Sequence, residues 1–146
     1  MVRFALAALF AVSAAAYAAG SDPLAAVKAG QHGCPNCQLA GADLSNQCLQ
    51  GTDFSGADLD NAKLVLTCLS HAKLERASFR HTDFSGANLG WTDLDGADLT
   101  YAVFTITSVK GADLSGAKGL TQAQLDAACG DGDTKLPPGL RVKTCD

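Results

Sequence analysis

Residues 34–37, Cys-Pro-Asn-Cys, have the spacing of a thiol redox centre, and His32 stands two residues before them. Such motifs are reactive where they open a helix, because the helix dipole lowers the pKa of one thiol. Gln38, rather than a histidine, follows the second cysteine, which excludes the haem-attachment signature. One motif with one histidine supplies few ligands for zinc, which takes four. A redox or metal-binding role and a structural disulfide both stay open for Cys34 and Cys37.

A set of aspartates recurs at intervals that are multiples of five: Asp43, Asp53, Asp58, Asp83, Asp93, Asp98 and Asp113. Paired carboxylates do acid–base chemistry only when they converge on one pocket. These instead each precede a large apolar residue, which predicts outward side chains that bond nearby backbone N–H groups. No Ser-His-Asp set, phosphate-binding glycine loop or complete metal motif is visible. We therefore predict no enzymatic activity, no catalytic, cofactor-binding or metal-binding residue, and no cofactor.

The aspartates belong to a repeat of five residues. Its central position is always large and apolar, at Leu39, Leu44, Leu49, Phe54, Leu59, Leu64, Leu69, Leu74, Phe79, Phe84, Leu89, Leu94, Leu99, Phe104, Val109 and Leu114. Two residues earlier the side chain is small in every unit except at Gln47. Neither a helix, with period 3.6, nor a strand, with period 2, gives this pattern.

Each unit presents one large and one small side chain inward and three side chains outward. A single unit cannot bury its inward pair, whereas stacked turns of a solenoid bury it against each other. Glycine recurs at one of the outward positions, for example at Gly56 and Gly86, and suits a corner where the backbone bends sharply. The glycine density and the period both argue against helix.

The segments AGADLS, SGADLD, SGANLG, DGADLT and KGADLS repeat one motif almost unchanged. On these residues the chain resembles the pentapeptide repeat family over residues 37–116. The resemblance implies an all-β fold, a right-handed quadrilateral β-helix in which four repeat units make one coil, with about four coils in total.

Some members of this family mimic duplex DNA and bind a topoisomerase, DNA gyrase, which they protect from inhibitors. That function is an alternative here, but it is disfavoured by the export signal described below, the cysteines and the short solenoid. Residues 37–116 also hold only ten acidic residues against five basic ones.

The six cysteines predict three disulfides, as is usual in an oxidising compartment. On the four-unit coil that the resemblance implies, Cys48 and Cys68 stack in adjacent coils, so we expect them to pair. Cys129 and Cys145 lie together beyond the repeat and should form a second bridge. Cys34 and Cys37 are left for a third, and Cys37 occupies an inward small position, which favours a structural bridge there over a redox pair.

Residues 1–18 have the pattern of a cleaved signal peptide, with Arg3, an alanine-rich apolar run and the small residues Ala16 and Ala18 before the cleavage point. We therefore expect a protein exported to the periplasm or extracellular space, without stable membrane insertion. Cleavage leaves 10 basic and 15 acidic residues, a net charge of −5 that argues against nucleic-acid binding.

Segments 19–36 and 117–146 flank the repeat and are predicted to cover its apolar ends. Asp22 and Pro23 start a short helix that ends before Gly30. Thr121 and Gln124 form a capping box that starts a helix of about 122–129, and an extended tail follows.

Function is then expected at outward positions. Two vertical pairs, His71 with Trp91 and His81 with Tyr101, lie at corners, where surface stacking and partner recognition both stay open. A second group consists of apolar residues at outward positions of one side: Val65, Leu66, Val103 and Ile106. Exposed apolar clusters mark interfaces, so docking of a protein partner or a homodimer is expected there. The sequence predicts an exported structural or protein-interaction module.

Overall fold

The computed structural model describes residues 22–146, so the predicted signal peptide of residues 1–18 lies outside the described residues. It contains two short helices, α1 (Pro23–Lys28) and α2 (Gln122–Asp126), on either side of the repeat. In this part of the chain no helix has the length and apolar composition needed to cross a membrane.

The repeat forms a ladder of isolated parallel β-bridges, each joining a residue to the one four repeat units later. The ladder begins with Gly33 opposite Asp53 and ends, in this register, with Asp98 opposite Lys118. Backbone hydrogen bonds hold each rung: the Leu59 N–H donates to the Ser78 carbonyl over 2.8 Å, and the Ser78 N–H donates back to the Ala57 carbonyl over 2.9 Å. The chain therefore returns to the same side of the stack after every four units, as the resemblance to the pentapeptide repeat family implied.

A tight turn separates consecutive rungs. In one example the Ala57 N–H donates to the Phe54 carbonyl over 2.9 Å, and Gly56, the third residue of the turn, has φ of +68°. A positive φ at that place is what a type II turn requires. Every fifth residue from Asn36 to Gly111 is left-handed in this way, but only six of these corner residues are glycine. The fold imposes the left-handed conformation even where the sequence offers a larger residue.

The interior is built as the repeat predicts. All sixteen central residues are buried, and so are the small positions apart from Gln47, which is half-buried. Phe84 lies between Phe79 and Phe104, at ring-centroid distances of 5.2 and 5.4 Å. The hydroxyls of the inward threonines are buried but hydrogen-bonded, because each donates to a main-chain carbonyl. The Thr82 hydroxyl, for example, donates to the Leu59 carbonyl over 2.7 Å.

The recurrent aspartates hold the corners. Each of the seven accepts a hydrogen bond from the backbone N–H two residues later, at 2.9 to 3.1 Å. That N–H belongs to the first corner residue and donates to no main-chain carbonyl of the ladder, whereas the carbonyl of a residue such as Ser55 accepts from the coil before it. The predicted local role of these carboxylates is confirmed.

Both flanking segments pack against the core. In α1, Val27 is buried and Leu24 is partly buried against the same cluster. In α2, the capping box of Thr121 and Gln124 is present, and the Gln124 amide donates to the carbonyls of Leu99 and Ala102 over 2.8 and 2.9 Å.

The tail after α2 continues the ladder out of register. Cys129 lies opposite Ser108 and Lys135 opposite Asp113, so these two rungs are shifted by one and by two positions relative to the regular ladder. The predicted helix of about 122–129 was three residues too long, because the chain leaves the helix after Asp126 to place Cys129 on its rung. The five-residue pattern stops before this segment, so the sequence contained no signal for the extra rungs.

Two of the three expected disulfides are present, Cys34–Cys37 and Cys129–Cys145. The third prediction was wrong for this structure, in which Cys48 and Cys68 are free and exposed. The two do face each other on adjacent rungs. The stacking of the two residues is therefore as expected, but no bond joins their sulfurs.

Candidate functional site

The largest exposed apolar side chains at one edge of the stack define the apolar corner: Val65, Leu66, Val103 and Ile106. Leu66 is 60% exposed, Ile106 81% and Val103 42%, whereas Val65 is half-buried. Leu66 and Ile106 are corner residues of the same vertical column, two coils apart, with Gly86 between them. Val103 belongs to the face that leads into this corner.

Side chains at the corners lean over the next coil in the direction of the C-terminus. A Cβ added to Gly86 would lie 2.6 Å from Leu66 Cδ2, and one added to Gly111 would lie 2.5 Å from the Trp91 ring. Arg76 covers Gly96 in the same way, with its Cγ 3.2 Å from the corresponding point. Glycine therefore recurs at a corner partly because a larger residue one coil earlier occupies the space above it.

This lean narrows the gap between the two exposed side chains of the apolar corner. Leu66 extends over Gly86 toward the coil that carries Ile106, which lies two rungs, or about 10 Å, away. Beyond Ile106 the surface continues into a shallow depression lined by Ala127, Ala128, Cys129 and Lys143. These tail residues were not among the sequence candidates, because only the out-of-register rungs bring them beside the corner.

Ile106 is the corner's most unusual residue. Its φ is +55°, a left-handed conformation that is strained for a β-branched side chain, while its side chain is largely exposed. Its N–H donates to the Ala127 carbonyl over 2.8 Å. The ladder imposes this conformation on Ile106 as it does on every corner residue from Asn36 to Gly111.

The two aromatic pairs differ from each other. His81 and Tyr101 stack with ring centroids 5.1 Å apart and planes inclined by 25°, and Tyr101 is 71% exposed. His71 and Trp91 are also both exposed, but among the described residues no ring contact joins them. The Trp91 ring covers Gly111 instead. Stacking between coils is therefore present for His81 with Tyr101, the other vertical pair.

The ionisable groups do not converge on a reaction centre. Within residues 22–146, no three His, Cys, Asp or Glu side chains come together as metal ligands. A hydrogen bond from the Thr100 hydroxyl lowers the pKa of Asp98, and one from Ser115 lowers the pKa of Asp113. The ionised carboxylates accept these hydrogen bonds and so organise the turns.

The family model for pentapeptide repeats matches in eight copies, over residues 37–76, 69–100 and 82–118. The chain belongs to the pentapeptide repeat family. Pentapeptide repeat proteins fold as right-handed quadrilateral β-helices and are generally structural or interaction modules without enzymatic activity.

Solved structures of this family are similar to the chain. The pentapeptide repeat protein alr5209 from Nostoc PCC 7120 has 25% identity and a TM-score of 0.42, covering 77% of this chain and 92% of its own. Rfr23 from the cyanobacterium Cyanothece 51142 has 22% identity and a TM-score of 0.40, covering 72% and 91%. QnrB1, a plasmid-mediated fluoroquinolone resistance protein, has 19% identity and a TM-score of 0.46, covering 66% and 61%. A comparison with curated proteins returned no match.

Proposed function

We propose that this pentapeptide repeat protein is an exported structural or protein-interaction module that docks a protein partner through the apolar corner. About four coils form its rigid body, and α1 and the segment from α2 onward close the two ends. The observation that carries the proposal is the exposure of Leu66 and Ile106 along one edge, with Ile106 held in a strained conformation. Monomeric proteins rarely expose contiguous apolar strips, and those they expose commonly bind partners.

Export is part of the proposal and is supported by the pattern of residues 1–18 and by the two disulfides. Cys34–Cys37 and Cys129–Cys145 join the chain at the two ends of the stack. Disulfides persist in oxidising compartments such as the periplasm or the extracellular space.

Site-specific photo-crosslinking in the producing cells tests the docking surface. A photoreactive amino acid is placed at Ile106, and the control carries it at Arg76. Arg76 is a suitable control because it is also an exposed, left-handed corner residue but lies on the diagonally opposite edge. We expect a discrete adduct from position 106 that Leu66→Glu abolishes, and no such adduct from position 76.

The mass of the adduct identifies the occupant. An adduct of twice the chain mass means a homodimer, and any other discrete mass means a different protein. Equal labelling from both positions, or no adduct from position 106, would refute docking through the apolar corner.

A further inference from the structure

The two free thiols, Cys48 and Cys68, lie on the outer surface of adjacent coils and face each other across one rung. Their backbones are fixed by the ladder. The Leu49 N–H donates to the Cys68 carbonyl over 2.8 Å, and the Cys68 N–H donates to the Gln47 carbonyl over 3.0 Å. The pair is therefore presented to solvent on two backbone segments whose spacing the fold sets.

That spacing allows one ion to reach both sulfurs. Adjacent strands stand about 4.7–4.9 Å apart, and the two side chains lie on the same face. Metal–thiolate bonds are about 2.3 Å long in zinc sites, so two thiolates on opposite sides of one ion lie about 4.6 Å apart. Cysteines on adjacent rungs can meet that distance.

The donor set selects the ion. No third His, Cys, Asp or Glu joins a ligand group anywhere in the described chain, so the tetrahedral coordination that zinc prefers has only two of its four ligands. Calcium and magnesium require oxygen ligands. Soft thiolates select copper(I) among first-row ions. We propose that Cys48 and Cys68 bind one copper(I) ion as a two-coordinate bis-thiolate site.

Binding replaces two S–H bonds by two S–Cu bonds. Two neutral thiols and one Cu⁺ give a bis-thiolate complex of charge −1 and two released protons, with no change of oxidation state. The hydrogen bond with Cys48 raises the pKa of the Cys68 thiol, so metal binding there displaces a proton.

The next rung of the same column provides matched variants, because Asn88 lies opposite Cys68. Cys48→Ser with Asn88→Cys keeps two adjacent thiols, at 68 and 88. Cys68→Ser with Asn88→Cys keeps two thiols, at 48 and 88, but separates them by two rungs, about 10 Å. Both variants lose the same hydrogen bond from the Gly90 N–H to the Asn88 side chain, so they differ only in thiol spacing.

Copper(I) affinity is measured without oxygen by competition with the coloured chelator bicinchoninate, and native mass spectrometry gives the stoichiometry. We expect one ion per monomer, with similar affinity, for the natural chain and the 68/88 variant. The 48/88 variant should bind at least about a hundredfold more weakly, because its second thiol cannot close the chelate. Equal affinity in the 48/88 variant, copper found only between two chains, or no competition by the natural chain would overturn the site.

Discussion

Replacing Ile106 by asparagine is expected to stabilise the protein while removing its docking surface. Ile106 has φ of +55°, and left-handed backbone costs an ordinary L-residue about 1–2 kcal/mol. Asparagine tolerates this conformation far better. It also avoids the extra unfolded-state entropy that glycine would bring.

The substitution removes little buried apolar surface. Ile106 is 81% exposed, so only about a fifth of its surface is covered. Fully burying an isoleucine is worth about 1.5–3 kcal/mol, and a fifth of that is about 0.3–0.6 kcal/mol. The Ile106 N–H keeps its bond to Ala127 in the variant. The net expectation is a gain of about 0.5–1.5 kcal/mol in the free energy of unfolding.

Thermal and chemical denaturation measure the change, and 1 kcal/mol corresponds to about 3–5 °C in Tm for a chain of this length. Val103→Asn is the control, since Val103 lies beside the same corner but is not left-handed. It should be neutral or destabilising. A lower stability for Ile106→Asn than for Val103→Asn would show that strain at the corner is not the dominant effect.

Three further changes probe the stack itself. Gly111→Ala should lower the free energy of unfolding by at least about 2 kcal/mol and Gly41→Ala by only about 1, because both residues are left-handed but only Gly111 lies against the Trp91 ring. When both substitutions are measured by denaturation in a Trp91→Ala background, the two losses of stability should be equal. Phe84→Ala should cost about 3–5 kcal/mol by leaving a cavity between its two ring neighbours, and a urea titration showing a loss under about 1 kcal/mol would contradict the packing. The lowered pKa of Asp98 means that its contribution to stability is present above the unfolded value near 3.8 and is lost as pH falls below it; Asp98→Asn should therefore reduce the fall in Tm between pH 7 and pH 3, and an unchanged fall would contradict this.

The sequence predicted the interior of the stack well because one rule governs it. A five-residue period leaves a single arrangement in which residues such as Leu59 and Ala57 are buried in every coil, and the structure has it. The aspartate bonds at the corners followed from the same period. Where residues obey a repeat, local and global preferences agree.

The surface was harder to predict, because it depends on the directions in which outward side chains point, and the five-residue period does not specify them. The lean of corner side chains places Trp91 over Gly111, which the period did not indicate. Cys48 and Cys68 face each other on adjacent rungs and are nevertheless free thiols. Residues beyond the repeat, such as Ala127, reach the apolar corner only through rungs whose shifted register no sequence pattern indicates.

Those irregular rungs bear on how long an assembly of such chains can grow. A ladder of identical parallel rungs ends in a row of unpaired amides, which is a template on which further strands add to form fibrils. Here the regular coils are followed by rungs shifted by one and then two positions, and after Pro137 and Pro138 a final rung joins Gly130 to Thr144. This end of the stack therefore does not repeat the edge on which a further regular coil would pair.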